Sequence, residues 1–265
     1  MTQFIDLPQA AALIHNGHTI ALGGMTLYRR PVAFVRVLLQ RTSRPRDLTL
    51  LSFTCGYESD LLVGAGCVST VRTCYFGLES FGFAPMFTKA AQQGTVRVQE
   101  ETEASLVMGL RAAMSGVAFM PSLAWVGTDL PLLRPDIKSV LDPYTGERLT
   151  AFPAISLDVA VLHGLEADTQ GNVRLNNNLG IDLELTYVAD TVIVTVERIV
   201  ERLEKSLDGP ILPAPGADFI ALAPRGAWPT SCYPNYVVGG GELLRYTEMC
   251  SGGEFEHYLE EWLQP

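Results

Sequence analysis

Thr19-Ile20-Ala21-Leu22-Gly23-Gly24-Met25-Thr26, continuing through Leu27-Tyr28-Arg29-Arg30-Pro31, is the stretch from which the fold is read. A short β-prone run, apolar on both faces, has the pattern of a buried parallel strand. It stops at a glycine pair. A short loop then leads to a proline near the first position of a helix, where a missing N–H costs nothing. From Pro31 to Arg41, Phe34, Val35, Leu38 and Leu39 fall at helical spacing.

The same alternation continues outward from this unit. Further β-prone runs span 48–53, 68–76, 155–162, 191–196 and 219–223, with the first strand extending back to His18. Helical spacing predicts helices over 103–115, with Leu106, Val107, Leu110 and Met114 on one face, and over 182–189 and 197–205. Strand-helix alternation predicts an α/β fold with an open, mainly parallel sheet and helices on both faces. No repeat or flexible linker divides residues 1–265, so a single domain is expected. Residues 130–153 hold Pro131, Pro135, Pro143 and Pro153 and read as a long excursion, a lid or a partner-contacting arm. Asp168-Thr169-Gln170-Gly171-Asn172 is a turn.

Composition narrows the function. Apolar residues make up 48% and charged residues 18%, which excludes intrinsic disorder. The net charge of −10 argues against nucleic acid and anionic membrane as partners. No apolar run approaches the ~20 residues of a membrane span. Residues 1–13 lack a basic region followed by an apolar stretch, so no signal peptide and a cytoplasmic location are expected. Cys55, Cys67, Cys74, Cys232 and Cys250 show no metal-site spacing, and His15, His18, His163 and His257 are scattered. Free cysteines and no metal are expected. Basic residues concentrate in the first 57 positions, at Arg29, Arg30, Arg36, Arg41, Arg44 and Arg46. Arg41, Arg44 and Arg46 read as a solvated face and basic turn, whereas Arg29 and Arg30 stand beside the glycine pair.

Four segments have the chemistry of a site. In the Gly23-Gly24-Met25-Thr26 turn, glycines let backbone approach a ligand. The following helix start offers N–H groups to a carboxylate, phosphate or oxyanion. Neither G-x-G-x-x-G nor a P-loop is present. Glu79, in Gly77-Leu78-Glu79-Ser80-Phe81-Gly82, follows a strand at the sheet's carboxyl edge, where open α/β sheets bind ligands. In Glu100-Glu101-Thr102-Glu103, the first two acids satisfy a helix dipole, and Glu103 is placed to enter a cleft as nucleophile or general base. The segment 224–234, rich in proline and aromatics, suits a rigid surface packed on something else or a self-contained loop. A Ser/His/Asp hydrolase lacks its G-x-S-x-G. His163, at the end of an apolar run, reads as structural, and Cys55 and Cys74 as small core residues.

The ordered set of segments resembles the class I coenzyme A transferases, in particular the α-type subunit of glutaconate CoA-transferase-like enzymes. The segments are 17–24, 29–36, 106–121 with Gly109-Leu110-Arg111-Ala112-Ala113, 163–172 with His163, Ala167, Asp168, Gly171 and Asn172, 194–200 and 226–233. The resemblance covers most of the chain. It implies an open α/β/α fold, a β-type partner in a heterodimer or α2β2 complex, and an acyl-CoA thioester and a small, possibly dicarboxylic, acid as substrates, with no permanently bound cofactor. It implies covalent relay through a glutamate of the β-type subunit, with Gly23, Gly24, Met25 and Thr26 lining the shared site and Glu79 nearby. Arg29 or Arg30 would pair with a substrate carboxylate or CoA phosphate. A related branch opens carbocyclic rings of CoA thioesters by hydrolysis with a glutamate of the α-type subunit at a helix start, the place of Glu103. A non-catalytic small-anion-binding module and a self-sufficient homo-oligomer are the competing readings.

Overall fold

The computed structural model describes residues 1–264. The strands are β1 (Gln3–Ile5), β2 (Thr19–Leu22), β3 (Leu48–Cys55), β4 (Val68–Phe76), β5 (Arg97–Glu100), β6 (Phe119–Ser122), β7 (Lys138–Leu141), β8 (Arg148–Pro153), β9 (Leu157–Asp168), β10 (Val173–Arg174), β11 (Ala189–Val200), β12 (Ile211–Leu212) and β13 (Phe219–Leu222). The helices are α1 (Leu7–Ala12), α2 (Val32–Gln40), α3 (Tyr57–Gly64), α4 (Pro85–Gln93), α5 (Glu103–Met114), α6 (Leu130–Leu133), α7 (Asp182–Val188), α8 (Gly240–Ser251) and α9 (Phe255–Leu263).

The main sheet runs β1-β13-β11-β9-β2-β3-β4-β5, and every neighbouring pair on this path is parallel. β10 and β12 add an antiparallel corner at the end of β9. Side-chain alternation sends Ile20 and Leu22 of β2 into one core and Ala21 into the other. The first core lies under α1–α4, α8 and α9, and holds Phe34, Leu38, Leu61, Tyr246 and Tyr258. The second lies under α5 and α7 and holds Leu106, Leu110 and Leu185. The sheet is thus covered on both faces, as parallel sheets are. From β2 the chain builds outward through β3, β4 and β5, whereas β9, β11 and β13 build the other way. The strand order reverses between β2 and β9, and the crevice beyond the carboxyl ends of these two strands is the usual ligand position of such a sheet.

One expectation is corrected. Residues 197–205 are not a helix: β11 continues through Val200, paired with β9 as far as Asp168. The helical spacing there is short, and a long parallel partner overrides a weak local preference. Residues 130–153 leave the main sheet but carry regular structure of their own. They contain α6, β7 and β8, and β8 lies between β6 and β7 in a three-stranded antiparallel sheet. Trp125, Ile137 and Phe152 give this sheet its own small core.

Candidate active site

The glycine turn after β2 is built by close packing. A Cβ on Gly23 would stand 2.4 Å from Asp182 Oδ1, and one on Gly24 would stand 2.5 Å from the Tyr28 carbonyl. Gly24 is also at φ +79°. Its neighbours carry strain that glycine does not relieve: Thr26 at φ +39° and Arg29 at φ +55° occupy left-handed backbone. Glu79 is at φ +53°. Non-glycine residues held in this region gather where function fixes the backbone.

The turn does not offer its N–H groups outward, which corrects the oxyanion expectation. Gly23 N–H donates to Val161 O at 2.9 Å and Gly24 N–H to Asp182 Oδ1 at 2.8 Å. Met25 N–H donates to Tyr28 O at 3.0 Å, and Thr26 N–H to Thr54 Oγ1 at 2.8 Å. The start of α2 is covered as well, because Ala33 N–H donates to Gly226 O at 2.8 Å. The covering loop is the proline-rich segment read from the sequence. It packs on the chain's own turn, with Arg29 N–H to Ser231 O at 2.6 Å and Ser231 N–H to Leu27 O at 2.8 Å.

Arg29 and Arg30 are fully buried, which corrects their reading as ligand contacts. Arg29 pairs with Asp182 at 3.0 Å, and donates to Asn176 Oδ1 at 3.0 Å and to the His163 carbonyl. Arg30 forks onto Glu58, with Nε and Nη2 at 2.9 and 2.6 Å, and also donates to Gly24 O and Ser52 Oγ. Buried charge is stable only when paired and hydrogen-bonded. These two side chains hold the turn in place from beneath. The sequence shows two cations beside two glycines; it does not show Asp182 and Glu58, which arrive from other elements.

Glu103 is exposed at the first position of α5. Thr102 caps the helix, accepting from Ser105 N–H while Ser105 Oγ accepts from Thr102 N–H. Trp125 Nε1–H also donates to Thr102 Oγ1 at 2.9 Å. α5 begins just past β5, whose partner in the sheet is β4; at Cys74 of β4, burial first and the Glu103 charge second push the thiol up to about 12. Cys74 in turn donates to Phe53 O at 2.7 Å, and Phe53 packs with Met25 against Gly180. Met25, Phe53 and Cys74 therefore follow one another across the carboxyl ends of β2, β3 and β4.

Glu79 lies in a short 3-10 turn after β4. It accepts from Tyr28 OH at 3.4 Å, and its N–H donates to Tyr75 OH at 3.3 Å. The Glu79 charge and partial burial raise the Tyr28 hydroxyl above its ordinary value. Cys74 and Tyr75 are consecutive in β4 and face opposite sides of the sheet. Tyr28 also borders a cavity of about 630 Å³, walled by Asn176, Asn178, Ser231, Tyr233 and Tyr236.

Three polar clusters escaped sequence reading. Glu101, read as an acid that satisfies the helix dipole, is an ion-pair centre instead. It is buried between Arg72 at 2.6 Å and Arg134 at 2.9 Å, and ties β4 to the small sheet. Asp60, buried in α3, accepts from the N–H groups of Met86 and Phe87 and from Tyr246 OH, and burial pushes it up to about 6. His163 is buried and structural in position, with Nδ1 at 2.8 Å from Thr195 Oγ1 and Nε2 at 2.8 Å from Glu197. Burial pushes its pKa down. His163, Glu197 and Cys232 place their ligating atoms within 4.8 Å of one another. Glu197 already accepts from His163, Arg225 N–H and Tyr236 OH, so the cluster is a closed hydrogen-bond network.

Residues 4–222 match the family described as Coenzyme A transferase. The chain is similar to a 3-oxoadipate CoA-transferase subunit of Pseudomonas knackmussii, at 32% identity over 89% of this chain and 84% of that one. It is 34% identical to the cholesterol ring-cleaving hydrolase IpdA subunit of Rhodococcus jostii, over 84% and 78% of the two chains. Among solved structures, a variant of the decarboxylase AibA/AibB aligns with a TM-score of 0.90 at 33% identity, covering 99% of this chain and 98% of that one. Glutaconate coenzyme A-transferase from Acidaminococcus fermentans aligns with the same TM-score of 0.90, at 28% identity over 99% and 89%. With most of its length matched in sequence and nearly all of it in fold, the chain belongs to the coenzyme A transferase family.

Proposed function

We propose that this chain is the α-type half of a two-chain enzyme that moves coenzyme A between an acyl-CoA thioester and a small carboxylic acid. The observation that carries this reading is the inward use of every N–H from Gly23 to Thr26. Acyl transfer needs donors aimed at the developing oxyanion, each worth roughly 3–4 kcal/mol. This edge instead presents Met25, Tyr28 and Glu79, and in this reading a β-type partner, in a 1:1 complex or its α2β2 dimer, supplies the oxyanion donors. In the relay, a glutamate oxygen of the partner attacks the thioester carbonyl and displaces CoA thiolate, leaving an acyl-glutamyl anhydride. The thiolate then attacks the glutamyl carbonyl, releasing the first acid. The acceptor carboxylate reverses these steps on glutamyl-CoA. Splitting the transfer lowers each barrier. CoA thioester is substrate here, and the reading requires no resident cofactor.

A second reading has its own support. Glu103 is exposed at the helix start just past the carboxyl end of β5, and a ring-cleaving hydrolase subunit is among the relatives. In that reading Glu103 acts on water or substrate directly. The anion-sensing module loses its cations, because Arg29 and Arg30 are buried and paired. The test mixes the purified chain with a β-type chain and a panel of acyl-CoAs, with and without acceptor acids. CoA exchange that needs both chains and an acceptor is expected, with Glu103→Gln retaining most of it. Consumption of thioester without acceptor, yielding a ring-opened product that keeps CoA and abolished by Glu103→Gln, establishes the hydrolase instead. Exchange by this chain alone overturns both.

A further inference from the structure

The opposite edge of the sheet carries a feature that the proposed chemistry does not use. Residues 41–46, between α2 and β3, pass below the starts of β2, β3 and β4 and, with Asn16, Ala65 and Gly66, enclose a cavity of about 510 Å³. Arg41, Arg44 and Arg46 all line it, together with Thr42 and Ser43. Among the described residues no carboxylate lines this cavity, and none of the three guanidinium groups joins an ion pair. In a chain of net charge −10, three like charges on one concave surface raise the local potential against the rest of the molecule.

Two of these cations are fixed in direction. Arg41 Nη1 donates to the carbonyls of Ala11 at 3.0 Å and Ile14 at 2.7 Å, at the end of α1. Arg44 Nε donates to Leu39 O at 2.7 Å, at the end of α2. Each arginine has five N–H donors, so these anchors leave most of each fork available. Asn16 Oδ1 accepts from Arg46 N–H at 2.9 Å, which leaves the Asn16 amide N–H groups as donors. The Cys67 thiol reports the convergence: burial pushes it up to about 11, and Arg44, Arg46 and Arg41, in that order, oppose the rise.

We infer that this cavity binds a phosphate-bearing small molecule, held by Arg41, Arg44 and Arg46 with hydroxyl support from Thr42 and Ser43. Guanidinium forks match phosphate oxygens in geometry and charge. The cavity volume falls in the range of small-ligand sites, roughly 300–1,000 Å³, and so has room for an attached group. The cavity lies at the amino ends of the strands, and Glu79 and Glu103 at the carboxyl ends, so its occupant does not compete with substrate for space.

The test titrates the assembled protein with inorganic phosphate, pyrophosphate and ADP, by calorimetry and by thermal midpoint, at constant ionic strength set with sodium chloride. Saturable binding is expected, and Arg46→Ala should weaken it about tenfold, the loss of one charge-assisted contact. Arg46 is exposed, so the variant should match the parent in unliganded midpoint and in turnover. Binding of ADP without inorganic phosphate assigns an organic phosphate; binding of both assigns the phosphate group itself. The inference is overturned if no probe binds at millimolar concentration, if sodium chloride alone produces the same stabilisation, or if Arg46→Ala binds as tightly as the parent.

Discussion

Arg30 and Glu58 are both fully buried, and their pairing lies directly beneath the glycine turn. Glu58 Oε1 accepts from the guanidinium and from Ser59 Oγ, while Oε2 has no partner among the described residues. Removing one member of such a pair leaves an uncompensated charge, at a cost of about 3–5 kcal/mol. Arg30→Ala and Glu58→Ala are each expected to destabilise the chain by that amount. The double variant should fall well short of the sum, and urea unfolding of all four proteins closes the cycle. Additive losses would show that the two groups do not interact. The same geometry explains why the sequence misplaced these arginines. A cation beside glycines is a ligand contact only if nothing else neutralises it, and the neutralising Glu58 and Asp182 stand 28 and 153 positions away from Arg30 and Arg29.

At the scale of elements, α5 is the helix that presents Glu103, and its start is fixed by three contacts. Thr102 and Ser105 cap it reciprocally, Trp125 donates to Thr102, and Glu101 is held between Arg72 and Arg134. Loss of the cap costs about 1 kcal/mol. Thr102→Ala is therefore expected to lower stability by about that much, measured by denaturant titration, and Thr102→Ser to restore it. If Glu103 takes part in turnover, Thr102→Ala also lowers kcat more than it raises KM, because the carboxylate loses its fixed direction. An equal stability loss with unchanged kinetics would assign the cap to stability alone. The small sheet of β6, β8 and β7 now has a physical role. Trp125 and Arg134 lie between its strands, and both reach the segment that starts α5.

For the molecule as a whole, acid response divides by the sign of each shift. Burial pushes Asp60 up to about 6, from an unfolded value of about 3.9. The folded state therefore binds this proton more tightly, and its stability contribution is full below the unfolded pKa and lost as pH rises through about 6. Glu166 behaves oppositely. Burial raises it, but Arg174 and Arg198 outweigh burial and hold the carboxyl below its ordinary value. Its contribution is present above the unfolded pKa and fades as pH falls through the lower folded one. In Asp60→Asn the change in stability between pH 4 and pH 7 should differ from the parent's by roughly 2 kcal/mol, at ~1.4 kcal/mol per pKa unit. Unfolding free energies measured across that range check this, and parallel curves for the two proteins would refute the assignment.

The sequence by itself determined the layered sheet. Apolar runs such as 48–53 and 68–76, and helical faces such as 31–41 and 103–115, repeat with local periods, and local periods are legible in one dimension. It also read Gly23, Gly24, Met25 and Glu79 just past strands and Glu103 at a helix start, and these positions hold in the fold. It misread 197–205, because only the partner β9 reveals that β11 continues. Tertiary structure alone decided which groups face outward. Whether Arg29, Arg30 and the N–H groups of the glycine turn meet a ligand or another part of the chain depends on Asp182, Glu58, Thr54 and Gly226, and no local pattern carries such long-range pairing. A buried polar group must find its partner wherever the fold brings one, and the fold brings it from a distance in sequence.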